Sequence, residues 1–234
     1  MLSKINTMAL EGLNGYLVEI QSDVSGGLPS FEIVGLPDIR VKEAKERVRA
    51  AIKNAGLEFP SRKIVVNLAP ADKRKEGTFF DLPIAIGILI AIEDIRIEDA
   101  IDLNKTIFLG ELSLDGKVNR INGILPMCIE ASNLGIKRVI IPKENGKEAS
   151  IIKNLEIIPV SNLEELIDYL CGEEKIQPEP YSEDFILENK NYKNLDFSEV
   201  KGQENAKRAL EIAAAGSHNC LLIRKSRFRE NYAL

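Results

Sequence analysis

Three groups of residues have the types and spacing to do chemistry. Ser113 and Lys117 lie close together in "GELSLDGKV", and a serine hydroxyl beside a lysine amine can serve as nucleophile and base. Lys73, Arg74 and Lys75 form a basic run able to meet nucleic-acid phosphates, although Asp72 and Glu76 flank it as in an ordinary solvated loop. Segment 40–53 carries Arg40, Lys42, Lys45, Arg47, Arg49 and Lys53, with Glu43 and Glu46 between them. That mixture predicts a salt-bridged solvent face in preference to a nucleic-acid stripe. The single histidine, His218, has no His, Cys or carboxylate at ligand spacing and is expected to be structural. Cys128, Cys171 and Cys220 contain no CxxC pair. No metal site and no disulfide framework are expected, which suits a reducing cytoplasm.

The chain that must position these groups has 234 residues, room for one large domain or a medium one with a fragment. Apolar residues (44%) suffice for a substantial core, and the charged fraction (29%) is that of an ordinary soluble protein. The formal charge of −5 exerts no global pull on nucleic acid, so any such contact must be local. The start "MLSKINTMALEG" is too polar for a signal segment. The longest apolar run, "LPIAIGILIAI", is too short to span a bilayer, so no membrane partner is expected. The acidic, proline-containing stretch 173–196 reads as a linker. It follows a domain of residues 1–172 and precedes segment 197–223, which is too short to bury its own core.

Within the first domain, "KINTMAL" and "GYLVEIQSDV" alternate apolar and polar residues, which predicts an antiparallel pair turning between Gly12 and Gly15. "SFEIVGL" continues as a third strand. Asp38 is the expected N-cap of a helix whose apolar stripe is Val41, Ala44, Val48 and Ile52. Lys42–Glu46 and Glu43–Arg47 are expected to pair along its outer face, and Gly56 to end it. "KIVVNLAP" predicts a central strand and "DLPIAIGILIAIED" a helix buried all round. "TIFLGELSL" and "RVIIP" follow as strands with a helix from about Gly123 to Asn133 between them, then "LEIIPV" and the helix "NLEELIDYLCG". The fold class is α/β (α+β), a mixed sheet with helices mainly on one face.

"LAPADKRKEGTFFDLPIAIGIL" and "GELSLDGKVNRINGILPMCIEASNLGIKRVIIPKEN" together resemble the Lon-type protease domain, which shares its fold with the second domain of ribosomal protein S5. In that family a serine follows a glycine by two residues at the start of a buried helix, and a lysine lies on the helix after the "GELSL" stretch. Aligned on Gly77, the serine position holds Phe79; aligned on Gly110, Glu111 and Gly123, the lysine position holds Leu125. The resemblance therefore implies the scaffold without the peptidase dyad, and Ser113 and Lys117 do not occupy the dyad positions.

"LDFSEVKGQENAKRALEIAAAGSHNCLLI" resembles the entry to the AAA+ module of the magnesium-chelatase-subunit-I-like ATPases, the ComM/YifB family, where a Lon-like domain precedes the ATPase. "GLPDIRVKEAKERVRAAI" and "NLAPADKRKEG" match the same family. The resemblance implies that Val200, Lys201, Gly202 and Gln203 border an adenine pocket. It also implies a helix packing through Ala206, Ala209, Leu210 and Ala213, and a strand at 219–223 that feeds a phosphate loop. For the full-length family it implies ATP and Mg²⁺, a hexameric homo-oligomer, and branched or single-stranded DNA as partner in branch migration during competence.

For this chain no cofactor and no catalytic residue are expected, so it is not expected to be an enzyme. "RKSRFRENYAL" has no glycine with which to build a GxxxxGK[ST] cradle. Synonymous codons for Arg224 through Ala233 exist that, read one base later, spell "GSPGSGKTML". The tail 224–234 is thus expected to be the frameshifted end of a longer reading frame, leaving 197–234 poorly ordered. The alternative is a stand-alone DNA- or protein-binding module with a Lon-like fold, acting through segment 40–53 or Lys73, Arg74 and Lys75. A serine peptidase is the third class.

Overall fold

A computed structural model describes residues 2–182 and 197–223, which fall into two compact units divided between Leu187 and Glu188. The first unit opens with a long hairpin, β1 (Leu2–Glu11) and β2 (Asn14–Ser25), paired from Leu2↔Asp23 to Glu11↔Asn14. Then come β3 (Ser30–Val34), α1 (Ile39–Asn54), β4 (Lys63–Ala69), α2 (Asp81–Ala91) and β5 (Thr106–Phe108). A short ladder of β6 (Glu111–Leu112) and β7 (Val118–Asn119) leads to α3 (Ile124–Asn133), β8 (Arg138–Pro142), α4 (Gly146–Ala149), β9 (Glu156–Val160) and α5 (Leu163–Cys171).

Seven strands form one mixed sheet in the order β3-β4-β2-β1-β5-β8-β9, with β6 and β7 in a separate pair. β3 does not lie beside β2. β4 inserts between them, antiparallel to β2 and parallel to β3, because the β3–α1–β4 crossover returns the chain in the same direction. "TIFLGELSL" is likewise two strands. At the break, Gly110 donates its N–H to Phe79 O and accepts from Leu82 N–H, each at 3.0 Å.

The alternation in β1, β2 and β4 places Ile5, Val18, Ile20, Val24, Ile64, Val66 and Leu68 on one buried face. Against it lies α2, with α1 packed beside α2 and β3. The opposite face carries Lys4, Glu19, Gln21 and Asp23. Asp38 caps α1 as expected, its Oδ1 accepting from Val41 N–H at 2.8 Å. Val41, Ala44, Val48 and Ile52 are fully buried. One departure from one-sided coverage is α3, which covers the other face at the hairpin end. There Gly15 lies so close beneath it that a Cβ would stand 2.9 Å from Glu130 Cβ.

Every face of α2 is covered, and Leu82, Ile84, Ile86, Ile88 and Leu89 are fully buried. Each such side chain contributes about 1.5–3 kcal/mol of transfer free energy, so this helix anchors the core. Its approach to the sheet depends on Gly87: Ser3 Oγ donates to Gly87 O at 2.6 Å, and a Cβ there would lie 2.7 Å from Ser22 Oγ.

In the second unit, α6 spans Glu204–Gly216. The helix expected over this stretch is present, its hydrogen bonds being local. Residues 219–223 form no strand, since a strand needs a neighbour and none of the described residues pairs with them. Much of the 173–196 stretch, and all of the 224–234 tail, lie outside the described residues.

Gly87→Ala is expected to lower stability by about 1–3 kcal/mol through the clash with Ser22 Oγ. Ser22 Oγ has no hydrogen-bond partner among the described residues. Ser22→Ala in the Gly87→Ala background should therefore recover most of the loss in urea denaturation; additive losses would show that the contact is not the cause.

Candidate functional site

The loop between β4 and α2 carries most of the residues singled out by the sequence, and backbone contacts strap it down. Lys75 donates its N–H to Leu36 O at 3.1 Å and accepts from Asp38 N–H at 2.9 Å. Its side chain is fully buried, with Nζ donating to the carbonyls of Pro70 and Lys73, the latter at 2.8 Å. Desolvation lowers the Lys75 pKa from its usual value. The expectation that Lys75 meets DNA phosphates is therefore corrected: its ammonium is turned inward, where backbone oxygens replace water. Lys73 pairs with Glu11 at 2.9 Å over the Tyr16 ring, and Arg74 pairs with Glu76 at 3.2 Å. Of the three, Arg74 keeps the most exposed head, and the run forms no common basic surface.

Gly77 follows with φ +108°, backbone that a side chain rarely adopts. A Cβ there would meet Phe79 Cε1 at 2.5 Å. Phe79 is 8% exposed and packs at a tilt against the fully buried Phe80, ring centroids 4.6 Å apart. Thr78 Oγ1 donates to Glu111. Leu125 is half-buried in the first turn of α3.

Asp81 begins α2 with no exposed side-chain surface. Its carboxylate accepts from Arg47 Nε at 2.6 Å and Nη2 at 3.0 Å, and from Leu112 N–H at 3.2 Å. Burial pushes the carboxyl up to about 6, against the pull of Arg47. Arg47 in turn is held charged more firmly by its bond to Asp81. The expected Glu43–Arg47 and Lys42–Glu46 pairs do not form among the described residues; Arg47 turns inward to Asp81, whose carboxylate pairs with no other cation among them. A signal was present: an aspartate opening an apolar helix must find a partner.

Ser113 and Lys117 do not form a nucleophile–base pair. Ser113 Oγ accepts from Asn119 Nδ2 at 2.9 Å and donates to the Lys117 carbonyl at 3.5 Å. In the second unit Val200, Lys201, Gly202 and Gln203 are all exposed, Gly202 and Gln203 in left-handed backbone (φ +71° and +60°). A purine site needs apolar walls around the ring, and among the described residues these four do not enclose one by themselves. On α6, Ala206, Leu210 and Ala213 are half-buried but Ala209 is exposed, so the packing face is narrower than expected. His218 is exposed, its ring folded back against Gly216. Among the described residues no His/Cys/Asp/Glu cluster could hold a metal, and no helix is long and apolar enough to cross a membrane.

The first unit is a mixed α/β domain, and its sequence is similar to Lon proteases. Lon protease 2 of Bacillus subtilis is 27% identical over 76% of this chain and 34% of its own length. The family profile "Subunit ChlI of Mg-chelatase" matches residues 20–145, and "Magnesium chelatase, subunit ChlI" matches 196–226. Competence protein ComM of Haemophilus influenzae is 41% identical over 95% of the chain. Protein YifB of Escherichia coli is 39% identical over the same share. The chain belongs to the magnesium-chelatase-like AAA+ family of ComM and YifB. It spans less than half the length of these relatives, 43% and 42% respectively.

The raised pKa of Asp81 fixes the sign of a pH effect. A carboxyl that titrates at about 6 when folded, against 3.8 ordinarily, binds protons more readily in the folded state. Its contribution to stability is full below 3.8 and is lost as pH rises through about 6. The wild-type protein should lose on the order of 1–3 kcal/mol relative to Asp81→Asn across that window in urea titrations; parallel profiles would mean the carboxyl stays ionised. Arg47→Met should destabilise by about 3 kcal/mol at neutral pH, and by less below the window, where Asp81 is protonated.

Proposed function

We propose that this chain is the non-catalytic N-terminal region of a ComM-type AAA+ ATPase: a Lon-like domain (1–172), a linker, and the first helical segment of the ATPase module. The reading is supported by Phe79, which the motif resemblance aligned on Gly77 sets at the Lon-type serine position and whose ring lies 4.6 Å from that of Phe80. The same motif resemblance sets Leu125 at the position of the lysine base. An aromatic ring and an alkyl group can neither attack a carbonyl nor move a proton. The Gly77 turn and the clamped start of α2 keep the frame of such a site without its reacting groups.

The chain spans 43% of the length of ComM, and ATP and Mg²⁺ chemistry is assigned in this reading to the part of the whole protein that it does not cover. For that whole protein the reading is a DNA motor acting on branched or single-stranded DNA, assembled as a hexamer. It is supported by 41% identity to a protein named for competence. A cytoplasmic setting accords with three free cysteines.

The purified chain should give no binding heat with ATP and Mg²⁺ and should leave casein intact. It should bind branched DNA weakly, with affinity falling as salt rises. ATP heat that vanishes in Lys201→Ala, or serine-probe labelling that vanishes in Ser113→Ala, would overturn the non-catalytic reading. Absence of DNA binding at low salt would remove DNA as a partner of this region.

A further inference from the structure

A separate concavity lies where the β2–β3 loop, the second half of α1 and the α1–β4 loop meet. Its volume is about 220 Å³, and its lining includes Ser30, Arg49, Lys53, Phe59, Ser61 and Arg62. Phe59 is braced by Phe31, ring centroids 5.8 Å apart, and holds the Arg49 guanidinium 5.1 Å above its own ring centroid. Arg62 is fixed through its backbone, its carbonyl accepting from Ser30 N–H at 3.3 Å.

Three cations thus line one hollow with no carboxylate among its lining residues. None of the three makes an ion pair with a described residue, whereas Arg47, Lys73, Arg74 and Arg138 all do. Glu46 and Glu58 are near in sequence yet do not reach them. Like charges gathered in a concavity repel, and the repulsion is relieved by an anion between them. The chain holds 36 Asp and Glu residues, so the absence of a carboxylate from this hollow is not a matter of supply.

The groups present select the kind of anion. Two guanidinium forks match tetrahedral oxyanions, an ammonium adds a point charge, and the Ser30 and Ser61 hydroxyls can donate to remaining oxygens. The cation–π contact with Phe59 holds Arg49 at the hollow without using up its N–H donors. The volume is below the roughly 300 Å³ at which drug-sized ligand sites begin, so it suits one phosphate group and not a whole nucleotide.

We propose that this cavity is a phosphate-binding site, occupied by a phosphodiester of a nucleic-acid strand or by free phosphate. The DNA reading above enters only as the first of those two sources. Arg49, Lys53 and Arg62 supply the charge, and Phe59 positions Arg49.

The test is heteronuclear NMR on the full chain, following the amides of Ser30, Ser61 and Arg62. Inorganic phosphate is titrated at constant ionic strength, and a short single-stranded DNA is titrated separately. The three amides should shift saturably with phosphate. Arg49→Gln with Arg62→Gln should weaken that response by about tenfold while resonances of β1 and α2 stay in place, which shows that the fold persists. Lys53→Gln alone is the milder variant should the pair unfold, and it should weaken phosphate as well.

If DNA moves the same amides, the site takes a strand phosphate. If DNA binds elsewhere or nowhere while phosphate still moves them, the source is free phosphate; the cavity assignment stands, and binding nowhere also removes the DNA reading. Amides that respond to neither probe, or an undiminished response in the variants, would overturn the site.

Discussion

A single buried carboxylate holds three elements of the first unit in agreement. Asp81 opens α2, receives the Arg47 fork from α1, and accepts the Leu112 N–H from β6. Each element brings one group to a point with no solvent. If any one were displaced, a buried charge or donor would be left without its partner, a loss of several kcal/mol. A hydrophobic contact in the same place could slide; this one has a direction. It sets the rotation of α1 about its axis, and with it which residues face the core and which face water.

That rotation has consequences on both sides of α1. Inward, Val41, Ala44, Val48 and Ile52 meet the core. Outward, Arg49 and Lys53 project towards the α1–β4 loop and join Arg62 around the basic hollow. The charged face that looked like a uniform salt-bridged surface therefore has two fates. Arg47 is withdrawn to Asp81, whereas Arg49 and Lys53 make no ion pair among the described residues.

The loop ahead of α2 is a rigid frame at the entrance to a buried helix. The Gly77 turn, the backbone bridges through Lys75 and the Gly110 contacts all place residue 79 at the start of a buried helix. Such a frame would position a reactive side chain well. Here it positions a phenylalanine, whose ring closes the core by packing against Phe80. Selection for packing and for catalysis would use the same backbone, so fold resemblance to Lon carries no activity by itself.

Local pattern alone determined the elements: the alternation in β1 and β2, the Asp38 cap, the apolar stripe of α1, the unbroken apolarity of α2 and the family motifs were all legible in order along the chain. Those signals depend on neighbours within a few residues. The insertion of β4 between β3 and β2, the break at Gly110, the placement of α3 and the burial of Lys75 were decided by tertiary structure, because each rests on groups distant in sequence. The same holds for the charges. Sequence spacing put Glu43 beside Arg47, but only folding brought in Asp81, whose buried carboxylate could not do without a cation, while an exposed glutamate can rely on water.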